Sequence, residues 1–450
     1  MKLSLCIIVC KLIKWALKIC KRDGSVFPGS IAYKIDKNAL KKIKYPKDVI
    51  VVTGSSGKGS TVSVLYQALV NEGKKVICNR NGSNINNAIM TLILNNTNTF
   101  THKVNGDVLL LEMDERYITK TFDKGIITTM LITNITRDQP SRNFDSNFIF
   151  DKIMESIDKN VHLIINADDP LLNRTKNIHQ GKITTYGIGK NKYADKNTPS
   201  YSVDSAYCPK CQTKLTYNFY HYGNMGKYSC NNCNFERGKV DFEATNVDLE
   251  KGTIKINGNP VKLNKKIFFA VYYTLAAYTV LSSIGIKEEN IIDSFNNKTP
   301  KSKRLKHQYL DGRKVEMIES KNENSLSYLQ SLNYIVNQKD KKTVIIGFEN
   351  VSRRYIYNDL SWLWDVPFEI LKDDSVEKIF LIGRFKFDVL TRLEYADIDK
   401  EKIVLVDDIH DLLDEVANKS TSQIYTMVCF DMTEIITNML KERNNEKENN

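Results

Sequence analysis

A chain of 450 residues with 42% hydrophobic content is long enough for two or three domains, each with a sizeable core. Its 65 Lys and Arg outnumber 53 Asp and Glu, and the resulting +12 suits anionic partners such as nucleotides, pyrophosphate-bearing substrates, a membrane surface or nucleic acid; lysine-rich solvated helices give the same balance. No stretch reaches the roughly 18 uninterrupted apolar residues of a membrane span, which excludes a helical membrane protein.

The first residues, Leu3 to Cys10, have the apolar look of a signal-peptide core. Lys11, Lys14, Lys18 and Lys21 then interrupt the apolar run, and no small-residue cleavage site follows. An amphipathic helix is the expectation, with Leu12, Ile13, Ala16, Leu17 and Cys20 on one face packed against the protein, in a lead segment of residues 1–45. A cytoplasmic location is expected.

A buried strand, Val49-Ile50-Val51-Val52, breaks into Gly54-Ser55-Ser56-Gly57-Lys58-Gly59-Ser60-Thr61, and Val62, Leu65 and Leu69 then recur at helical spacing. Glycines turn backbone N–H groups inward, a helix N-terminus adds partial positive charge, and Lys58 neutralises terminal phosphates. Ser60 or Thr61 offers a hydroxyl to Mg²⁺. Only two residues separate Gly54 from Gly57, so this is not the full Walker spacing. A plain glycine turn before a core helix is the bland reading, but strand, lysine and hydroxyls agree on ATP.

Three further strands end in polar tips. Val108 to Leu111 delivers Glu112, with Asp114 and Glu115 after it; Ile126 to Thr133 delivers Asn134 and Arg137-Asp138-Gln139; Leu163 to Ile165 delivers Asn166, Asp168 and Asp169. In an open parallel sheet such tips line one crevice at the strands' carboxyl ends. Glu112 is the candidate Mg²⁺ ligand, because a hard cation prefers carboxylate oxygen. Helical patterns between the strands, 143–160 for example, predict a doubly wound α/β domain over 46–308.

Nine cysteines divide into five scattered ones and two knuckles, Cys208-Pro-Lys-Cys211 and Cys230-Asn-Asn-Cys233. Two C-x-x-C pairs this close suit one tetrahedral Zn²⁺ better than two redox dithiols. Four thiolates leave no open position, so the zinc is structural. Leu215 to Gly223 alternates like a hairpin strand, and His221 is expected to pack as an aromatic rather than bind metal. The whole is a zinc ribbon inserted at 201–238, too short and too mildly basic to suggest nucleic-acid binding.

Lys314 to Ile318, Thr343 to Phe348, Lys378 to Gly383 and Ile403 to Val406 predict a smaller C-terminal α/β domain over 309–440, followed by a disordered polar tail, 441–450. Trp362 and Trp364 beside Asp359 and Asp365 are either core anchors or an interface hot spot.

The loop Gly54-Ser55-Ser56-Gly57-Lys58 resembles the phosphate loop of the Mur ligase superfamily, which includes the folylpolyglutamate synthases. Asp359-x-Ser361-Trp362-x-x-Asp365-x-x-Phe368-Glu369, with Ser320-Lys321-Asn322 upstream, resembles the C-terminal domain of the MurT family, the synthetase subunits of lipid II isoglutaminyl synthases. Further matches include Phe27-Pro28-Gly29, the strand tips, the four cysteines with His221-Tyr222, the run Leu275 to Leu281, and Arg304. The resemblance implies a heterodimer with a GatD-type glutaminase. ATP and Mg²⁺ would activate the D-glutamate α-carboxylate of lipid II at the membrane surface, and ammonia from the glutaminase would convert it to D-isoglutamine. It assigns nucleotide binding to Gly54, Gly57, Lys58, Ser60, Thr61, Asn134, Asn166 and Arg304. Glu112 would hold Mg²⁺, and Asp359 would complete a Cys-His-Asp arrangement in the glutaminase.

This chain departs from the family in places. Gly59 replaces a hydroxyl residue, Ala270 and Tyr273 replace paired asparagines expected at the adenine, and Glu349 to Tyr355 replaces an Asn-Asp-Asn-x-x-Asp-Gly approach. A folylpolyglutamate-type ligase, favoured by Gly59-Ser60, and a non-catalytic MurT paralogue, allowed by the missing asparagines, stay open as alternatives.

Overall fold

The computed structural model describes residues 2–22, 24–80, 83–137, 145–194, 204–297, 305–319, 325–349 and 359–448. Cα proximity divides the chain into two compact units: residues 1–135, 146–199 and 203–301 form the first, and 136–145, 200–202 and 302–450 the second.

The first unit is organised by β1 (Asp48–Thr53), whose residues after Asp48 are all buried, as a strand covered by helices on both faces requires. Around it lie β2 (Val76–Cys78), β3 (Val108–Glu112), β4 (Thr129–Ile132), β5 (His162–Asn166) and β6 (Ile183–Ile188). A separate hairpin, β7 (Thr216–Tyr222) with β8 (Met225–Ser229), precedes β9 (Phe242–Asp248), β10 (Thr253–Ile256) and β11 (Asn259–Lys262). The main sheet runs β11-β10-β9-β6-β5-β4-β1-β3-β2. It is parallel from β2 to β9 and antiparallel at β9-β10-β11. The chain passes from β3 on one side of β1 to β4 on the other. The carboxyl end of β1 is therefore the switch point at which doubly wound sheets open a ligand crevice.

Helices α1 (Lys2–Ile19), α2 (Phe27–Ile35), α3 (Lys58–Asn71), α4 (Asn86–Asn95), α5 (Ser146–Glu155), α6 (Phe268–Ser283) and α7 (Glu288–Asn297) accompany this sheet. Helix α6 is buried almost all round, which explains why its apolar run lacks a polar stripe. The lead helix corrects one expectation. Leu3, Cys6, Ile7 and Cys10 are the buried face of α1, while Leu12, Ala16 and Cys20 are exposed. The N-terminal turns seat on α2 and α4, and the lysine-interrupted turns carry no core. The α2–α4 approach is close because Gly29 has no side chain: a Cβ there would lie 2.0 Å from the Asn87 carbonyl oxygen.

The second unit contains β12 (Leu305–Leu310), β13 (Arg313–Glu319), β14 (Lys342–Gly347), β15 (Val376–Ile382), β16 (Ile403–Leu405) and β17 (Gln423–Val428), in the order β12-β13-β17-β14-β15-β16. All its pairs are parallel except the β12–β13 hairpin. That hairpin turns on Asp311 and Gly312, at φ of 51° and 81°, the two left-handed residues of a type I′ turn. Helices α8 (Ser325–Val336), α9 (Lys386–Tyr395), α10 (Leu412–Lys419) and α11 (Phe430–Glu448) complete it.

The polar tail is corrected here, because α11 continues to Glu448. Met432, Ile436 and Leu440 bury one side of the helix. Arg443 then bridges Asp311 and Asp414, and Asn444 donates to the Tyr309 carbonyl, so polar residues extend the helix instead of fraying it.

Candidate nucleotide site, cysteine cluster and Asp359 corner

Strand β1 delivers the glycine loop directly onto the N-terminus of α3, where the first backbone N–H groups lack intrahelical partners and attract anions. Gly54 and Gly57 have φ of 120° and 84°, conformations that L side chains rarely adopt. A Cβ on Gly54 would also lie 2.4 Å from the Thr133 Oγ1. The tip of β4 fixes the loop. The Asn134 carbonyl accepts from the Ser55 N–H at 2.8 Å, its Oδ1 accepts from the Ser56 N–H at 3.1 Å, and Thr133 Oγ1 donates to the Ser56 carbonyl at 2.7 Å. Asn134, expected at the nucleotide, braces the loop that would hold it.

Lys58 is buried and its ammonium donates to the Gly54 carbonyl and to Glu115 Oε1, the latter at 2.8 Å. Glu115 also accepts from the Gly54 N–H at 3.0 Å. Sequence reasoning passed over Glu115 in favour of Glu112; its position three residues beyond the strand end was the available signal. Glu112 ends β3 opposite Val52, and its backbone is clamped by Asn79, whose Oδ1 accepts at 2.9 Å and whose Nδ2 donates at 2.8 Å. Its side chain is half-buried. Of the two hydroxyls, Thr61 is fully buried and donates to the Gly57 carbonyl at 2.9 Å, while Ser60 is half-buried.

At the positions where the resemblance expects adenine-side asparagines, Ala270 is buried, and the Tyr273 hydroxyl donates to Asn264 Oδ1. The Phe269 ring contacts Tyr273 edge-on at 5.7 Å, and its Cζ would stand 3.0 Å from a Cβ on Gly57. Arg304 lies outside the described residues, as do Asp138-Gln139, Ser320 to Asn322 and Asn350 to Asn358.

The third tip serves a different purpose. Asn166 Nδ2 lies 3.5 Å from Met225 Sδ, and its Oδ1 accepts from the Asp168 N–H. Asp168, fully buried, accepts from Arg237 Nε at 2.5 Å, from the Tyr272 hydroxyl at 2.7 Å and from the Ile188 N–H at 2.8 Å. Asp169 accepts from the Ile135 and Leu171 N–H groups and from Asn224 Nδ2. Burial pushes its carboxyl up to about 7, against those backbone donors. The tip of β5 thus ties the ribbon hairpin to the sheet.

In the ribbon, the Cys208, Cys211, Cys230 and Cys233 sulfurs all lie within 4.8 Å of one another. The Sγ–Sγ separations are 3.5 Å for Cys208–Cys233, 3.4 Å for Cys211–Cys230 and 3.7 Å for Cys211–Cys233. A tetrahedron with Zn–S of about 2.3 Å has edges of about 3.8 Å, so the cluster fits zinc. Lys210 and Asn232 N–H groups point at the Cys208 and Cys230 sulfurs at 3.4 Å, which stabilises thiolates. His221 packs between Phe219 and Phe268, at 5.3 and 5.2 Å, with Nε2 against the Ile188 carbonyl; burial lowers its pKa, and it is no ligand of the cluster.

In the second unit, Asp359 Oδ1 accepts from the Ser361 N–H at 2.8 Å, an Asx turn that leads into the helical turn 361–365. The two tryptophans part company. Trp362 is a core anchor, 4.9 Å from Tyr328 and 5.6 Å from Phe348. Trp364 is exposed and meets the exposed Tyr395 edge-on at 5.0 Å.

Fold and loop define a phosphate-loop ligase of the Mur type. Residues 52–234 match the Mur ligase middle domain and 321–432 the MurT ligase C-terminal domain. Solved structures with the same fold include a pseudomurein peptide ligase type C from Methanothermus fervidus, at TM-score 0.65 and 18% identity over 90% of this chain and 80% of that one. MurF from Thermotoga maritima in complex with ADP gives TM-score 0.56 and 15% identity, covering 93% and 85%. The chain is therefore similar to the Mur ligases in fold and in the sequence of its middle region. Among those ligases the similarity is to the MurT proteins. The chain is 28% identical over 88% of its length to the lipid II isoglutaminyl synthase (glutamine-hydrolyzing) subunit MurT of Staphylococcus aureus, covering 88% of that protein. Against the Streptococcus pneumoniae MurT the figures are 24%, 90% and 90%.

Proposed function

We propose that this chain is the ATP-dependent synthetase subunit of a lipid II isoglutaminyl synthase, working with a GatD-type glutaminase in peptidoglycan synthesis. The observation that carries the reading is the prebuilt phosphate cradle, with Lys58 held at the start of α3, in a chain that matches MurT over nearly its whole length. A carboxylate is a poor electrophile at neutral pH. Its oxygen attacks the γ-phosphorus of ATP, ADP leaves, and the acyl phosphate then carries a good leaving group. Ammonia attacks the acyl carbon, phosphate departs, and the nitrogen loses a proton to give the amide.

Lys58 and the helix N-terminus neutralise charge developing on the transferred phosphoryl group. Ser60, rather than the enclosed Thr61, offers the hydroxyl for Mg²⁺, with Glu112 as the carboxylate partner. Mg²⁺ would supply further charge neutralisation. Thr133 and Asn134 keep the loop in its binding conformation. Cys208, Cys211, Cys230 and Cys233 would hold a Zn²⁺ with no open position, which would be structural. Asp359 keeps its turn with one carboxylate oxygen and can orient a partner's histidine with the other, while the Trp364–Tyr395 pair offers an exposed aromatic contact for that partner. The reaction takes place on the cytoplasmic side of the membrane, where its lipid-borne substrate resides.

The test is to incubate the chain with lipid II, Mg-ATP and ammonium, and to follow ADP release and the mass of the product. Conversion of one carboxyl to carboxamide, about 1 Da lighter, together with stoichiometric ADP supports the reading, and Glu112→Gln should lose most of it. ATP turnover that depends on folate in place of lipid II would favour the folylpolyglutamate type. No turnover with either acceptor would favour a scaffold.

A further inference from the structure

Helix α1 has two apolar faces, and only one is used by the fold. Leu3, Cys6, Ile7 and Cys10 are buried. Leu5, Ile8, Leu12, Trp15 and Ile19 recur every three or four residues, the spacing that aligns them in one stripe. They are 51%, 44%, 58%, 65% and 62% exposed. We propose that this stripe is a docking surface for an anionic lipid bilayer, in which α1 lies along the membrane–water boundary.

Charge decides the occupant. Helix α1 carries Lys2, Lys11, Lys14 and Lys18 and no acidic residue, and Lys21 and Arg22 follow at once. At about 100° per residue, Lys11 and Lys18 border the stripe on one side and Lys2 on the other. Lys11 also donates to the Thr97 carbonyl at 2.7 Å, while Lys2, Lys18, Lys21 and Arg22 are exposed. An apolar stripe rimmed by like-signed cations fits lipid phosphates, each basic side chain near such a surface adding roughly fivefold in affinity. Protein interface cores, by contrast, are depleted in lysine.

A second apolar element adjoins the helix. The loop around Asn98 is tied to α1 by Ser4 Oγ and His102 Nε2 at 2.9 Å, besides the Lys11–Thr97 bond. Asn98 Oδ1 accepts from the Phe100 and Thr101 N–H groups, both at 2.9 Å, so the tip is a defined turn. It presents Phe100 at 91% exposure. No helix among the described residues is long and apolar enough to cross a membrane, so α1 would lie on the surface rather than span it.

This surface is separate from the phosphate loop and does not depend on the ligase reading; if that reading holds, it brings the enzyme to a lipid-borne substrate. The full chain is sedimented with vesicles of phosphatidylcholine alone or mixed with phosphatidylglycerol. We expect binding to the anionic vesicles, roughly tenfold or more weaker on neutral ones and weakened by salt. Leu12→Glu with Trp15→Glu should abolish it while leaving the melting temperature and ATP binding unchanged, and Lys18→Glu with Lys21→Glu should weaken it. Failure of the wild type to bind anionic vesicles, or equal binding by the Leu12→Glu, Trp15→Glu chain, overturns the proposal. So does a solution dimer that Leu12→Glu dissociates, since that would make the occupant a second copy.

Discussion

Lys58 and Glu115 form a buried ion pair, 2.8 Å apart, at the point where the transferred phosphate of ATP is expected to bind. On the proposed function, the phosphate of a bound nucleotide would replace the carboxylate at the lysine.

Glu115→Gln should therefore destabilise the free protein, since losing one partner of a buried pair costs about 3–5 kcal/mol. Saturating Mg-ATP should restore much of that loss, because phosphate oxygens take over the lysine. Lys58→Ala should lower ATP turnover by about 10²–10³-fold or more, whether or not nucleotide still binds. Thermal shift with and without nucleotide checks the first, and an ADP-release assay the second. A Glu115→Gln deficit that nucleotide leaves untouched would sink the idea.

Elemental analysis should find about one zinc per chain, and Cys208→Ser should lower both metal content and melting temperature. A strong chelator on the wild type should reproduce the variant. A metal-free protein melting at the wild-type temperature is the contrary outcome.

Asp359→Asn keeps an oxygen able to accept from the Ser361 N–H, so the turn should survive with little loss of stability. Glutamine-driven amidation with the partner glutaminase should fall by about 10²-fold or more, because a neutral amide cannot stabilise a histidinium. Ammonia-driven amidation should persist. Equal loss with both nitrogen sources rejects the triad role.

His162, hydrogen-bonded to Thr184 Oγ1 at 2.8 Å, has its pKa lowered to about 4 by burial, with Lys182 and His179 adding to the effect. Unfolded, it titrates near 6.5. The unfolded chain thus binds the extra proton between those values, and the stability present above about 6.5 is lost as the pH falls toward 4. Melting curves across that window should show a shallower acid loss in His162→Gln; identical slopes would refute the assignment.

Much of this was legible in the sequence. Central strands such as Val49–Val52 and Val108–Leu111 are continuous apolar runs, and the loop glycines and paired cysteines sit at diagnostic spacings. The edge strand Leu305–Leu310 was missed, because it has no uniform apolar face, although Asp311-Gly312 announced its hairpin. The second half of α1 was misassigned because periodicity finds an apolar stripe without saying what it touches. Trp362 and Trp364, two residues apart, could be told apart only by their neighbours. Glu115 sits beyond its strand, where reach and not pattern determines its contacts. Strand ends located the neighbourhood but not the protein partners that Asn134 and Asn166 take there.

Strands β6 and β9 lie side by side and parallel, Ile188 against Ala244, yet among the described residues no long helix joins them. The return journey is made by the cysteine ribbon, which acts as the crossover that parallel pairing demands. A free excursion of this length has a closure entropy that the knuckles and the Arg237–Asp168 bridge remove in advance. Stripping the metal should therefore be felt at a distance from it. Amide exchange should quicken first in β9, β10 and β11, the outer three strands hung on that crossover, while β1 and its neighbours stay protected.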